Sequence, residues 1–371
     1  MTKILYVTST LRRSGPTNQL FNLIKYLDRD AFDPHIITLS PEPADSRKAD
    51  FENIGCPVRS LGLTRRQGLL HARRLLQTAI AEFAPDIIHT QGIRADVLSS
   101  RLNTTVPRIC TIRNFPQVDY PMKFGKLKGS LMAARHGKTF ARLDLCSGVS
   151  EAVAENARDV YGTNNVQTIA NGIDDELFQP ISTTDRSGLR ERLSINVEDI
   201  VIVSVGALNH RKDPLTVIKG LQTARGTWDS AIFLGDGPLF EDCKRVGGLD
   251  QGIHVKGAVS NVAEYVQSAD LFISASHSEG LPNSVLEAMA CGVPTILSDI
   301  GPHREVLPGD LHSILIFPVG DWESLAARIR DVTSGDLKAI GNRLYQHFSR
   351  HFTARGMSNQ YQVKYRQLAS R

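Results

Sequence analysis

Two carboxylates separated by seven residues, Glu279 and Glu287, lie in the stretch ADLFISASHSEGLPNSVLEAMACGVPTILS, which spans 269–298. An apolar run ends at Ser274–Ser276, the loop His-Ser-Glu-Gly-Leu-Pro follows, and a helix is expected to begin near Asn283–Ser284 and carry Glu287. Glu279-Gly280-Leu281-Pro282 then sit at the mouth of a strand, against a helix N-terminus. Such a loop can offer backbone amides to a diphosphate and a carboxylate to sugar hydroxyls at the same time. The same letters also admit a local reading. Ser284-x-x-Glu287 fits a capping box, in which Glu287 satisfies helix amides, and Glu279 can be a solvated loop acid.

A second place for chemistry is Gly15-Pro16, directly after the first apolar run. Glycine permits close backbone approach and proline suits the first helical position, so a helix opens there. Its free amides could receive an anion, or the site is a plain strand-to-helix turn. The dinucleotide fingerprint G-x-G-x-x-G is missing from this turn, which has one glycine, and from Gly235-Asp236-Gly237-Pro238-Leu239-Phe240, which has two and then Phe. Neither a G-x-x-x-x-G-K-[ST] loop nor a G-x-S-x-G elbow occurs. Dehydrogenases, P-loop NTPases and α/β-hydrolases are thereby disfavoured.

The elements that must position these residues follow from the apolar patterning. Short β-branched runs at 3–9, 34–39, 57–61, 86–90, 107–112, 144–149 and 166–170 alternate with helical stretches at 16–28, 66–83, 95–102, 127–142 and 151–160. After an interdomain crossing over 172–199, a second series places strands at 200–205, 231–234, 253–255, 271–274, 294–297 and 314–317. Its helices fall near 214–225, 239–246, 261–268, 283–290, 322–332 and 336–350, and a last helix covers 354–369. Strand–helix alternation at this pitch means parallel sheets with helices on both faces. In such sheets ligands sit outside the carboxyl ends of the strands. The fold class is therefore α/β, with two doubly wound Rossmann-like domains expected to face each other across a cleft.

Composition fits this picture. The chain has 371 residues, 41% of them hydrophobic and 22% charged, enough for two apolar cores. Five scattered cysteines without a C-x-x-C pair exclude a zinc ribbon and a secreted disulfide framework. With no signal-type core and no membrane-length apolar run, a cytoplasmic protein is expected. Charge is uneven: residues 1–170 hold 23 Lys/Arg against 15 Asp/Glu, and 171–371 hold 20 against 24. The first half could face something anionic.

The string E-G-L-P-N-S-V-L-E-A-M-A-C-G-V-P-T-I resembles the E-x7-E signature of the retaining glycosyltransferases of family 4, which have the GT-B fold. Further positions match in order: Gly15, Ser150-Glu151, Asn171-Gly172-Ile173-Asp174, Val205-Gly206, Arg211-Lys212-Asp213 and Gly235-Asp236-Gly237-Pro238-Leu239. The resemblance covers nearly the whole chain. It implies an acceptor-binding domain over 1–175, a nucleotide-sugar-binding domain over 176–352, and a terminal helix over 353–371 that packs back on the first domain. It also implies roles. Glu287 would hold ribose hydroxyls, Glu279 would touch the donor sugar, and Gly280, Leu281, Gly206 and Gly235 would line the donor site. Lys212 and Arg211 would neutralise the diphosphate, and with Glu279 they form the expected catalytic set. Gly15, Arg113 and His89 are placed on the acceptor side. The donor would be a nucleoside-diphosphate sugar, UDP-linked ahead of GDP-linked, with base contacts around 257–262. No cofactor or metal is expected, and no D-x-D is sited to chelate one.

Two departures from the family pattern bear on this. Gly206-Ala207 stands where many relatives have Gly-Arg, and Arg113 stands where many have a histidine. An arginine cannot act as a base, but it can bind a phosphate or a sugar oxygen. His89 is expected on the same rim, with a packed histidine as the plainer alternative. The stretch 123–142 has six Lys/Arg, no acid and interspersed Phe124, Leu127, Leu131, Met132 and Phe140. Together with Arg65, Arg66, Arg73 and Arg74 it suggests a domain that meets an anionic membrane surface, or simply a solvated helix face. Nucleic acid is not expected as a partner. The resemblance points to a glycan or lipid-linked saccharide acceptor at the inner face of the cell membrane. The alternatives are a catalytically silent nucleotide-sugar-binding partner and a GT-B nucleotide-sugar epimerase.

Overall fold

The computed structural model describes residues 1–248 and 252–370, so the last residue of the expected terminal helix, 371, lies outside the described residues, as does the side chain of Arg65. Contacts divide the chain into two compact units, Met1–Gly172 with Ala354–Arg371, and Ile173–Thr353.

The first unit is built on strands β1 (Thr2–Thr8), β2 (Phe32–Thr38), β3 (Val58–Ser60), β4 (Ile87–Gln91), β5 (Arg108–Ile112), β6 (Leu145–Gly148) and β7 (Val166–Thr168). They form one parallel sheet in the order β3-β2-β1-β4-β5-β6-β7. Between them run α1 (Gly15–Lys25), α2 (Lys48–Asn53), α3 (Arg65–Phe83), α4 (Ile93–Ser99), α5 (Pro116–Phe124), α6 (Lys126–Phe140) and α7 (Glu151–Tyr161). The continuous apolar run of β1 is explained by its two buried faces. Ile4 and Tyr6 join the core beneath α1, whereas Leu5 and Val7 point to the other face, against Leu76 and Ala79 of α3.

The second unit holds α8 (Thr183–Arg192), β8 (Val201–Val205), α9 (Pro214–Thr223), β9 (Ser230–Leu234), α10 (Phe240–Gly247), β10 (Ile253–Gly257), α11 (Val262–Ser268) and β11 (Leu271–Ser274). It continues through α12 (Asn283–Ala290), β12 (Thr295–Ser298), α13 (Gly301–Val306), the short turn α14 (His312–Leu315), β13 (Ile316–Phe317), α15 (Trp322–Thr333) and α16 (Leu337–His351). Its parallel sheet has the order β10-β9-β8-β11-β12-β13. The chain then returns to the first unit as α17 (Ala354–Ala369), whose Met357, Tyr361, Tyr365 and Leu368 complete the core beneath α1.

Several elements differ from the sequence reading. Pro116 and Pro121 disguise α5, which proline opens at its first turn and interrupts once inside. The basic stretch 123–142 is broken at Gly125, whose φ of 83° ends α5 and begins α6. The expected strand 314–317 shrinks to Ile316–Phe317, because 312–315 coil into α14. The short helices α2 and α13 were not expected.

Candidate functional site

In the second sheet the strand order reverses between β8 and β11, which pair at Leu271↔Ile202 and Phe272↔Val203. The loops leaving these neighbours, 206–213 and 275–282, are therefore brought together at the switch point of the sheet, where open α/β folds bind ligands. Residues 67 positions apart in the chain meet there. Lys212 Nζ donates to Glu279 Oε1, Arg211 Nη1 donates to Glu279 Oε2 at 3.0 Å, and Ser276 Oγ donates to Oε1 at 2.8 Å. Burial pushes the Glu279 carboxyl up, but Lys212 and then Arg211 outweigh it and hold it down at about 2. Glu279 is thus a fixed anion between two cations, not a solvated loop acid.

Local devices aim these side chains. Asp213 adopts a left-handed backbone, φ 46°, tolerable for Asp, and caps α9 by accepting from Thr216 N while Pro214 opens the helix. Its carboxylate also receives His277 Nε2 at 3.1 Å, tying the two loops together. His277 N donates to Arg211 O at 2.8 Å, and Arg211 Nη1 donates to Ser278 O at 2.5 Å. Glycine is required at 235, where a Cβ would stand 1.9 Å from the Gly206 carbonyl oxygen. The glycine at 235 thereby lets the β9 loop close onto the Gly206 carbonyl of the β8 loop.

Glu287 rides on α12, and no capping box forms there. The cap position is Pro282, without a side-chain bond, because the helix starts at Asn283 rather than after Ser284. Burial raises the Glu287 carboxyl to about 7, with Lys212 pulling weakly the other way. Ser278, Glu279, Gly280 and Leu281 are all buried in the loop before it. Sequence reasoning assigned no part to Ser276, Asp213 or His277. The Asp213-Pro214 pair is a legible cap signal, whereas Ser276 is found only by folding the loop.

In the first unit a cavity of about 180 Å³ lies at the carboxyl ends of β1, β4 and β5, again where the strand order reverses. Thr8, Pro16, Gln91, Arg113, Asn114 and Tyr120 are among its walls. Gly15 begins α1 at its edge. Arg113 donates from Nη2 to Gln91 Oε1 at 3.0 Å and from Nη1 to Asn171 Oδ1 at 3.5 Å, and burial lowers its pKa to about 10. His136, behind Tyr120, bonds the Tyr120 hydroxyl at Nδ1 and Asp96 at Nε2, each at 2.8 Å.

His89 does not reach the rim where the acceptor-side reading puts it, and is instead the packed, hydrogen-bonded histidine of the alternative reading. It is fully buried, with Nδ1 bonded to the Tyr365 hydroxyl at 2.7 Å and Nε2 to Thr111 Oγ1 at 2.8 Å, and burial lowers its pKa to about 3. It is a core histidine that anchors α17 to the sheet. The five cysteines are buried and free. Among the described residues, no group of three or more His, Cys, Asp or Glu could hold a metal ion, and no helix is long and apolar enough to cross a membrane.

Two doubly wound parallel units in one chain are the architecture of a GT-B protein. Structures bear this out: Anabaena HepE in complex with UDP-glucose superposes with a TM-score of 0.81 over 98% of this chain and 99% of that one, at 20% identity. Residues 13–177 match the family model for Glycosyltransferase Family 4, and residues 199–334 match that for Glycosyl transferases group 1. The chain belongs to the family 4 glycosyltransferases.

Among relatives, TuaC of Bacillus subtilis, named as a teichuronic acid biosynthesis glycosyltransferase, is 30% identical over 58% of this chain. That match spans only about half of TuaC, 54% of its length. The UDP-Gal:alpha-D-GlcNAc-diphosphoundecaprenol alpha-1,3-galactosyltransferase of Escherichia coli is 23% identical over 85% of this chain and 84% of its own.

Proposed function

We propose that this chain is a retaining glycosyltransferase that moves a hexosyl group from a nucleoside-diphosphate sugar to a glycan acceptor. The acceptor is a lipid-linked precursor of a surface polysaccharide or lipopolysaccharide, and the donor is UDP-linked ahead of GDP-linked. The observation that carries the reading is the cluster in which Glu279 is shared by Lys212 and Arg211. Two cations on one carboxylate leave a net positive charge beside a helix N-terminus, which suits a diphosphate. The family supports the reaction class. The Escherichia coli relative's name places its acceptor on a diphosphoundecaprenol, and the HepE complex contains UDP-glucose, which support the substrate classes.

In this reading Glu287 accepts the ribose hydroxyls, Glu279 positions the donor sugar, and Gly280 and Leu281 lie near the sugar or the diphosphate. The bond from the anomeric carbon to the phosphate oxygen breaks as the acceptor oxygen bonds to the same face. The acceptor's proton passes to the departing phosphate oxygen, so no protein nucleophile is assigned. Lys212 and Arg211 stabilise the charge that gathers on the leaving group. Neutralisation by these side chains needs no metal ion. The first unit takes the acceptor, through the Arg113 cavity and the edge at Gly15.

The first unit also supports peripheral membrane association at the inner face of the cell membrane. On α6, Leu127 and Leu131 are 90% and 72% exposed, and the neighbouring Lys126 and Lys128 are exposed with them. Apolar side chains set among cations suit an anionic bilayer.

The test is a thermal-shift panel of UDP-, GDP-, ADP- and dTDP-sugars with wild type and Glu287→Ala. A bound donor at about 100 times its Kd adds roughly 2.7 kcal/mol. Stabilisation of wild type but not the mutant by one nucleotide class carries the reading, and an equal response of both proteins removes the ribose assignment. Acceptor assays complete it. Donor turnover without any acceptor would point to an epimerase, and binding without turnover to a silent partner.

A further inference from the structure

The cavity at the carboxyl ends of β1, β4 and β5 contains a charge that has no ion-pair partner and feels Asp96 only at a distance. Arg113 lies in its wall, and its hydrogen-bond partners, Gln91 and Asn171, are neutral amides. No carboxylate lies within ion-pair distance of it among the described residues, and none lines the cavity. Asp96, the acid toward that side, already accepts from Thr90 Oγ1 and His136 Nε2. Two further observations converge on the same wall. Arg113 Nε is buried and has no partner, and the same holds for Gln91 Nε2, in a side chain only 7% exposed. Both orphaned groups are N–H donors, so what they lack is an acceptor oxygen.

Buried polar groups in folded proteins are almost always paired, and a desolvated cation left alone is costly. The first turn of α1 adds to the demand. Its cap residue, Ser14, bonds the Thr17 hydroxyl at 3.0 Å but caps no backbone amide, and Pro16 and Thr17 of that turn line the cavity. The positive end of the helix dipole therefore acts on the same space. A volume of about 180 Å³ is smaller than a whole-ligand pocket of roughly 300–1,000 Å³ and suits one functional group with part of a ring.

We propose that this cavity is an oxyanion subsite, in which Arg113 and Gln91 receive a carboxylate or phosphate group of the acceptor. The enzyme is then selective for anionic acceptors, those carrying a uronate-type carboxylate or a phosphate ester, over neutral ones. This rests on the reading of the first unit as the acceptor half. Arg113 binds and positions the acceptor by a two-pronged contact from Nε and Nη, and takes no part in proton transfer.

The experiment uses the full-length chain with three small probes at constant ionic strength: methyl β-glucuronide, methyl phosphate and the neutral methyl β-glucoside. In wild type the Arg113 Nε–H resonance, assigned by its loss in Arg113→Lys, should shift on titration with at least one anionic probe and not with the glucoside. The responding probe tells whether the group is a sugar carboxylate or a phosphate. Thermal shift should rank the same probe wild type first, Arg113→Lys second with at least tenfold weaker binding, and Arg113→Gln without response. An Nε–H resonance unmoved by both anions, or an undiminished response in Arg113→Gln, overturns the proposal. A UDP arm in the same plate, with Glu287→Ala as control, reports on the transferase reading separately. UDP binding without any anion response sinks only the oxyanion subsite.

Discussion

Glu279 is a buried carboxyl and Glu287 a half-buried one, and their environments drive them apart. Glu279 has two cations and a serine hydroxyl, and is held at about 2. Glu287 is raised to about 7 by burial, which the pull of Lys212 offsets only in part. A carboxylate that accepts ribose hydroxyls binds best when ionised, so proton and donor compete at Glu287. Donor affinity should therefore fall as pH drops below 7, by up to about tenfold per pH unit, and the slope should vanish in Glu287→Gln. Calorimetric titration of a UDP-sugar, whose diphosphate unlike that of UDP has no proton ionising near pH 6, between pH 5.5 and 8 checks this.

Linkage also sets the sign for stability. A carboxyl raised on folding holds its proton in the native state while the unfolded chain has lost it, so its contribution diminishes as pH rises from about 4.3 to 7. Glu287→Gln should raise the melting temperature at pH 8 and leave it nearly unchanged near pH 4.5. Lys212→Ala removes a cation from the leaving group and should lower kcat about 10²–10³-fold, read in a single-turnover transfer assay. Glu279→Ala strands both cations and should destabilise the second unit by about 3–5 kcal/mol, read by denaturant unfolding.

At the scale of elements, α17 matters most. It contributes Met357, Tyr361, Tyr365 and Leu368 to the core of the first unit, and buried Met or Leu side chains are each worth roughly 1.5–3 kcal/mol. Its tyrosines also complete a polar chain. Tyr6 and His89 bond Tyr365, while Thr111 and Ser147 bond Tyr361. Deleting residues 354–371 should leave the Tyr6 hydroxyl and His89 Nδ1 without these partners and lower the unfolding temperature of the first unit, with the second unit's transition unmoved; differential scanning calorimetry separates the two.

Much of this element map is legible in the sequence, because β1, β8 and β11 are unbroken apolar runs and α12 begins at a Pro-Asn step. The helix α5 is not, since proline at two positions reads as loop. His89 is legible only as a choice between a rim residue and a packed one. Its place at the end of an apolar strand suits a rim residue, and only the packing of α17, 276 positions away, shows that both ring nitrogens are occupied.

For the whole molecule, the chain leaves the second unit where it entered: Ile173 pairs with Thr353, and Ile173 N donates to Phe352 O at 2.9 Å. The second unit is thus one continuous segment, whereas the first needs both ends of the chain. A fragment of residues 173–353 should fold alone and bind UDP in a Glu287-dependent way, while 1–172 should be markedly less stable than the same segment supplied with α17. Circular dichroism melts of the two fragments test this. Leu127→Glu with Leu131→Glu should cut binding to vesicles rich in anionic lipid at least tenfold without altering UDP affinity, and equal co-sedimentation of wild type and variant would remove that surface.

The sequence by itself determined the class of fold and the family. Both are written in local signals: the strand–helix period and a run of contiguous letters from Glu279 to Ile296. Neither needs contacts between distant residues to be recognised. What only tertiary structure decided is which partners each charge has. Glu279 as a neutralised anion, Glu287 as a raised and uncapped carboxyl, His89 as a core residue and Arg113 as a half-buried cation without an ion-pair partner are all statements about neighbours brought together across a sheet. The physical reason is that burial and Coulomb interaction depend on distance in space, which the linear spacing of these residues does not contain.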